Sequence, residues 1–69
     1  MKAILVTSDN CDPCARMKEQ FADLIKRGEI VEKNLEKDPE AVAELMNKYG
    51  ANLPSLLILS NDGELIMSL

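Results

Sequence analysis

An apolar run, Ala3-Ile4-Leu5-Val6, gives way to a helical pattern through the residues Thr7-Ser8-Asp9-Asn10-Cys11-Asp12-Pro13-Cys14. The two cysteines are three positions apart and stand where the first helix is predicted to begin. The positive end of a helix favours a thiolate, and this spacing lets the two sulfur atoms meet. The pair therefore predicts thiol redox chemistry at the start of the first helix.

The composition indicates one small folded domain over residues 1–69. Hydrophobic residues make up 46% of the chain and charged residues 29%, a balance typical of globular proteins. The net charge of −4 argues against nucleic acid or an anionic membrane as the main partner. The only aromatic residues are Phe21 and Tyr49, so no stacking platform for bases is present.

The start of the chain and its cysteine count favour a cytoplasmic protein. Met1-Lys2 leads directly into the first apolar run, without a signal sequence or a long apolar span. In that compartment a lone CxxC motif is more often catalytic or metal-binding than structural. The chain has no histidine, which excludes a Cys–His protease, a His-ligated zinc site and a His general base.

The apolar periodicity predicts an α/β fold of order βαβαββ, with a four-stranded mixed sheet and two helices. A parallel crossover unit comes first and an antiparallel hairpin last. The predicted strands cover about Ala3–Thr7, Ile30–Leu35, Leu56–Leu59 and Glu64–Leu69. The first helix is predicted from about Pro13 to Arg27, and the second between a cap at Asp38 and a terminating Gly50.

Helical spacing assigns different environments to the two cysteines. Cys14 falls on the apolar stripe of the first helix, which continues through Met17, Phe21, Leu24 and Ile25. Cys11 lies at the exposed tip, so we expect it to be the attacking nucleophile and Cys14 to be the resolving thiol.

The acidic neighbours of the cysteines oppose this chemistry in part. Asp9 and Asp12 oppose the thiolate form of Cys11 and offset some of the effect of the helix end. We therefore expect only a moderately lowered pKa for Cys11.

Other interpretations of the pair remain open at this point. The pair could form a purely structural disulfide, or the two cysteines could be buried thiols without a chemical role. Two thiolates also suit Cu(I), as in small copper chaperones, and two chains could share a four-cysteine zinc site. Copper chaperones, however, have the element order βαββαβ and usually a methionine before the first cysteine.

The chain resembles the thioredoxin superfamily, and in particular its glutaredoxin-like branch of small thiol–disulfide oxidoreductases. The features that match are Cys11-Asp12-Pro13-Cys14, Pro54 before the third strand and the turn Asn61-Asp62-Gly63, which together span nearly all of the chain. The resemblance implies a thioredoxin-like fold and a disulfide reductase. It also implies that the Leu53–Pro54 bond is cis and lies against the cysteines, and that Asp12, Pro13, Leu53 and Pro54 contact the substrate.

Several departures from the family pattern concern the electron donor. The chain lacks the Gly-Gly segment that helps glutaredoxins hold glutathione, and no aromatic residue flanks Cys11. The donor implied is therefore glutathione or a thioredoxin-reductase-type system. The substrates are protein or glutathione-mixed disulfides, and neither a bound cofactor nor a metal is expected.

The final helix of the family is absent from this sequence. With only two helices, one sheet face should be half covered, which would leave residues of Leu56–Leu59 and Leu65–Leu69 exposed. Large apolar patches are rarely left bare on monomers. We therefore expect this face to meet a second copy of the chain, a larger partner or a client segment.

Overall fold

The computed structural model describes residues 1–69, with four strands around which the helices pack. The strands are β1 (Lys2–Thr7), β2 (Val31–Asn34), β3 (Ser55–Leu59) and β4 (Leu65–Ser68), and the helices are α1 (Asp12–Gln20), α2 (Ala22–Lys26) and α3 (Pro39–Tyr49). The predicted order of strands and helical segments is confirmed. None of the helices has the length and hydropathy needed to cross a membrane.

The prediction of a single first helix, and hence of two helices in all, is wrong. The helical segment is divided at Phe21, whose backbone angles of φ −105° and ψ 17° are not helical. The Phe21 side chain packs on the sheet beside Leu24 and Ile25. Breaks of this kind usually occur at proline or glycine, and neither stands there. The sequence therefore held no local signal for the division.

The sheet has the strand order β2-β1-β3-β4. β1 pairs in parallel with β2, and β3 pairs antiparallel with β4, as the crossover unit and the hairpin predict. β3 also pairs antiparallel with β1. The register places Thr7 beside Asn34 on one side and Val6 beside Ser55 on the other. The ends of β1 and β2 and the start of β3 therefore meet at one edge of the sheet, from which the cysteine segment departs.

Each face of the sheet carries its own apolar cluster, because successive strand residues point to opposite faces. On the α1/α2 face the cluster is Leu5, Ile30 and Leu56, with Met17, Phe21, Leu24 and Ile25 packed against it. On the α3 face the cluster is Val6, Val42, Ala51, Leu57 and Leu59. The predicted stripe of the first helical segment is thus confirmed.

The apolar spacing of Val42, Leu45, Met46 and Tyr49 predicts a buried stripe on α3, and this prediction is confirmed only in part. Val42 is buried and Leu45 and Tyr49 pack beside it, whereas Met46 is 36% exposed.

The two capping predictions for α3 differ in outcome. Gly50 ends the helix in the left-handed region at φ 66°, as expected. Asp38 occupies the N-cap position but makes no side-chain cap hydrogen bond, and its carboxylate lies 3.6 Å from Lys33 Nζ.

The expectation of an exposed apolar sheet region holds for β4 and is wrong for β3. β3 lies between β1 and β4 with helices over both faces, so four of its five residues are buried. Every residue of β4 is exposed: β4 is one of the two outer strands, and none of its residues joins either apolar cluster. The apolar exposure therefore extends from Leu65 to Leu69, where exposed fractions range from 40% at Leu65 to 59% at Leu69.

Candidate redox site

The cysteine pair is positioned by the junction between β1 and α1. β1 ends at Thr7, residues 8–10 form a short turn, and Cys11 takes the N-cap position of α1 with extended backbone angles (φ −139°, ψ 105°). The Cys14 backbone N–H donates a hydrogen bond to Cys11 Sγ at 3.1 Å. Sulfur thus takes the role that oxygen usually has at a helix N-cap. Pro13 stands in the first turn, where its missing N–H does no harm.

The two cysteines are joined in a disulfide and differ in exposure. Their Cα atoms lie 5.1 Å apart, within the range that disulfides require. Cys14 is only 1% exposed, whereas Cys11 is half-buried. A reagent in solution therefore reaches Cys11 more readily than Cys14.

A small cavity of about 100 Å³ opens beside the disulfide. Its wall includes both cysteines and the side chains of Lys18, Glu32 and Asn34. Leu5 pairs with Glu32 and Thr7 with Asn34 across β1 and β2. Since Leu5 packs on the α1/α2 face, these two polar residues of β2 lie on the same face as Cys14.

One arm of polar contacts links this wall to α1. Thr7 Oγ1 donates a hydrogen bond to Glu32 Oε2 at 2.8 Å, and Lys18 Nζ lies 3.3 Å from the same oxygen. The Glu32 side chain is only 19% exposed. Its carboxylate thus receives both a hydroxyl and a cation, which is what a mostly buried charge requires.

A second arm starts from the Asn34 side chain, which is 7% exposed. Its amide nitrogen donates to Asp9 Oδ1 at 2.9 Å and to Thr7 Oγ1 at 3.4 Å. Its amide oxygen accepts from the backbone N–H groups of Glu36 at 2.9 Å and Lys37 at 3.3 Å. Asn34 therefore uses both its donors and its acceptor, and it joins the turn before Cys11 to the β2–α3 loop.

Sequence reasoning missed these polar residues. Thr7, Lys18, Glu32 and Asn34 were not among the candidate site residues, although all line the cavity with the cysteines. The available signal was the alternation in β2, which puts Glu32 and Asn34 on one face. Only the sheet register shows that this face meets the cysteine pair.

The other candidate residues lie outside the cavity wall. Asp12 and Pro13 are exposed on the first turn of α1, and Leu53 and Pro54 are half-buried before β3. The Leu53–Pro54 peptide bond is cis, as predicted. Ser55 pairs with Val6 in an antiparallel arrangement, so Pro54, the residue before Ser55, lies opposite Thr7. This is the sheet edge from which the cysteine segment leaves. No group of three or more His, Cys, Asp or Glu side chains is arranged to hold a metal ion.

Comparison with known proteins bears on the fold. No protein-family model and no curated protein matches the sequence. Among solved structures, the chain is similar to the thioredoxin-like protein BC3987, with a TM-score of 0.61 and 28% sequence identity over 94% of this chain and 84% of that one. The helix-capping cysteine pair, the mixed sheet and the cis proline agree with that likeness. The chain therefore has the thioredoxin-like fold, with its CxxC pair at the start of the first helix.

Proposed function

We propose that this chain is a thiol–disulfide oxidoreductase that reduces protein or glutathione-mixed disulfides. In the dithiol form, the Cys11 thiolate attacks a substrate disulfide, forms a mixed disulfide and expels one substrate thiolate. The Cys14 thiol then loses its proton to solvent and its sulfur attacks Cys11 Sγ. The second substrate thiolate leaves and takes up a proton, so two electrons pass to the substrate and the Cys11–Cys14 disulfide remains.

The observation that carries this proposal is the unequal placement of two cysteines that are close enough to bond. Cys11 is accessible and caps a helix, where backbone N–H groups favour a thiolate. Cys14 is 1% exposed and lies one helical turn away. An accessible thiol suits attack on an external disulfide, and a shielded neighbour suits internal resolution.

Substrate contacts are proposed at the sheet edge around the pair. Asp12 and Pro13 border Cys11 on the exposed first turn, and Leu53 and Pro54 stand before β3 opposite the end of β1. A substrate segment bound across this edge would meet both pairs of residues. The electron donor proposed is glutathione or a thioredoxin-reductase-type system, in a reducing compartment such as the cytoplasm.

Insulin reduction with dithiothreitol as electron donor tests the activity. Cys11→Ser should abolish turnover, because no attacking thiol remains. Cys14→Ser should trap mixed disulfides with insulin chains, which mass spectrometry detects. Ala43→Ser, which adds a serine on the exposed side of α3, is the matched control and should keep the wild-type rate.

Three outcomes would contradict the proposal. Equal turnover by wild type and Cys11→Ser would show that reduction does not pass through the pair. Tight Cu(I) binding without disulfide reduction, or one zinc ion retained per two chains, would support the metal-binding alternative.

A further inference from the structure

Asp9 and Lys18, which flank the cysteine pair, both contact β2 residues, and one continuous chain of polar contacts joins them. It runs from Asp9 through Asn34, Thr7 and Glu32 to Lys18, in four links between 2.8 and 3.4 Å. Asp9 precedes Cys11 by two residues, and Lys18 follows Cys14 by one helical turn. We call these five residues the polar clamp. It ties the redox segment to β2 on both sides of the disulfide, through the buried side chains of Asn34 and Thr7 on one side and through the half-exposed ion pair of Lys18 on the other.

We propose that the polar clamp, with Asn34 as its central residue, sets the stability of the Cys11–Cys14 disulfide by holding the two thiols in position in the reduced state. The proposal rests on the dithiol–disulfide cycle proposed above. Asn34 and Thr7 are positioning residues in this scheme, since they act through the turn and the helix that bear the cysteines.

The conformational freedom of the dithiol state affects how readily the Cys11–Cys14 disulfide forms. Closing a disulfide is an intramolecular reaction, and its equilibrium improves when the reacting groups are already ordered. Without the clamp, the turn at residues 8–10 and the start of α1 gain freedom in the dithiol state. In the oxidised state the disulfide itself limits that freedom. Loss of the clamp therefore stabilises the dithiol state more than the disulfide state.

The central residues of the polar clamp are buried, so their hydrogen bonds within the chain are not easily replaced by hydrogen bonds to water. Thr7 is 2% exposed and Asn34 is 7% exposed, so water cannot readily replace the partners of these side chains. Asp9 is tied a second time, because its backbone N–H donates to Glu36 Oε2 at 3.0 Å. The turn before Cys11 is therefore held at two points by residues at or after the end of β2.

The test is equilibration with reduced and oxidised glutathione, which converts the disulfide and two glutathione thiols into the dithiol and glutathione disulfide. The dithiol fraction is read by alkylation and mass spectrometry. Asn34→Ala removes the central residue, and Thr7→Val removes one hydroxyl with little change in shape. Both substitutions leave the charges around the cysteines unchanged.

For Asn34→Ala we expect the equilibrium constant for disulfide formation to fall about tenfold, which raises the reduction potential by about 30 mV. Thr7→Val should shift it in the same direction by a smaller factor. The matched control is Tyr49→Phe, which removes the 2.6 Å hydrogen bond from Tyr49 Oη to Gly63 O on the other side of the sheet. This control should stay within about twofold of wild type, a difference worth under about 0.5 kcal/mol.

The outcomes separate the two proposals. Wild-type constants in both clamp variants would overturn the clamp, and if Asn34→Ala does not fold, an unchanged Thr7→Val alone would do so. An equal shift in Tyr49→Phe would show a general loss of stability and would also overturn it. A wild-type chain that does not interconvert with glutathione at any ratio would instead count against the proposed function.

Discussion

The sheet has two contrasting margins. At the end that carries the cysteines, the polar side chains of β1 and β2 are paired: Asn34 makes four hydrogen bonds and Glu32 has both a hydroxyl and a lysine as partners. The exception at this end is Ser55 on β3, whose buried hydroxyl has no hydrogen-bond partner. Along β4 the apolar side chains are exposed, and Leu65–Leu69 contains no charge. The polar side chains at the first margin find partners within the chain, whereas β4 pairs with β3 on one side only and its exposed apolar side chains join neither apolar cluster. Function is therefore expected at the first margin and association at the second.

The largest expected effect separates the buried sheet from the β4 margin. Leu57 is fully buried on the α3 face, while Ile66 on β4 is 54% exposed. Leu57→Ala should cost about 2–5 kcal/mol of unfolding free energy, because it leaves a cavity in the core. At protein concentrations low enough to keep the chain monomeric, Ile66→Ala should change that free energy by under about 0.5 kcal/mol. Urea denaturation of both variants gives the measurement.

Equal losses in these two variants would contradict the described burial. They would show that Ile66 is covered in solution, either by a second chain or by another part of the surface. Repeating the denaturation at two protein concentrations distinguishes these cases, since only association makes stability depend on concentration.

A smaller effect is expected within the polar margin, between the two cysteines. In the reduced protein, a small alkylating agent should modify Cys11 at least about tenfold faster than Cys14, because Cys11 is accessible and caps a helix. Mass spectrometry of peptides after limited alkylation checks the order. Faster modification of Cys14 would reverse the proposed roles of the two thiols.

Much of the fold follows from local signals in the sequence. The apolar runs, the caps and the turn at Asn61-Asp62-Gly63 are each visible within a few residues, and they predict the strand and helix order. The cysteine positions follow in the same way, because helical spacing alone puts Cys14 on the apolar stripe. The cis bond before Pro54 came from the family resemblance rather than from a local rule.

The features that escaped prediction depend on contacts distant in sequence. The contacts of Asn34 with Thr7 and Asp9 join residues 27 and 25 positions apart, so only the β1–β2 register reveals them. The burial of β3 depends on its place between β1 and β4, and its unbroken apolar run Leu56–Leu59 is consistent with cover on both faces. The break occurs at Phe21, where neither proline nor glycine stands, and the Phe21 side chain packs on the sheet.

The smallest expected change in stability belongs to the β4 margin, where we predict self-association. An outermost strand presents unpaired backbone groups, and charged residues are the usual protection against pairing with another chain. Residues Leu65–Leu69 offer no such charge. Met67 pairs with Ile58 and is 52% exposed. It is therefore the position at which we introduce a charged side chain. Met67→Lys should alter the unfolding free energy of the monomer by under about 0.5 kcal/mol.

Sedimentation velocity over a range of micromolar concentrations measures the association. The wild type should show a concentration-dependent rise in sedimentation coefficient, and Met67→Lys should remain monomeric. Lys37→Met, which removes a charge on the exposed β2–α3 loop, is the matched control and should associate like the wild type. A wild-type chain that stays monomeric throughout would show that the exposed apolar strand does not pair with a second copy. A larger partner or a client segment would then be the occupant to seek.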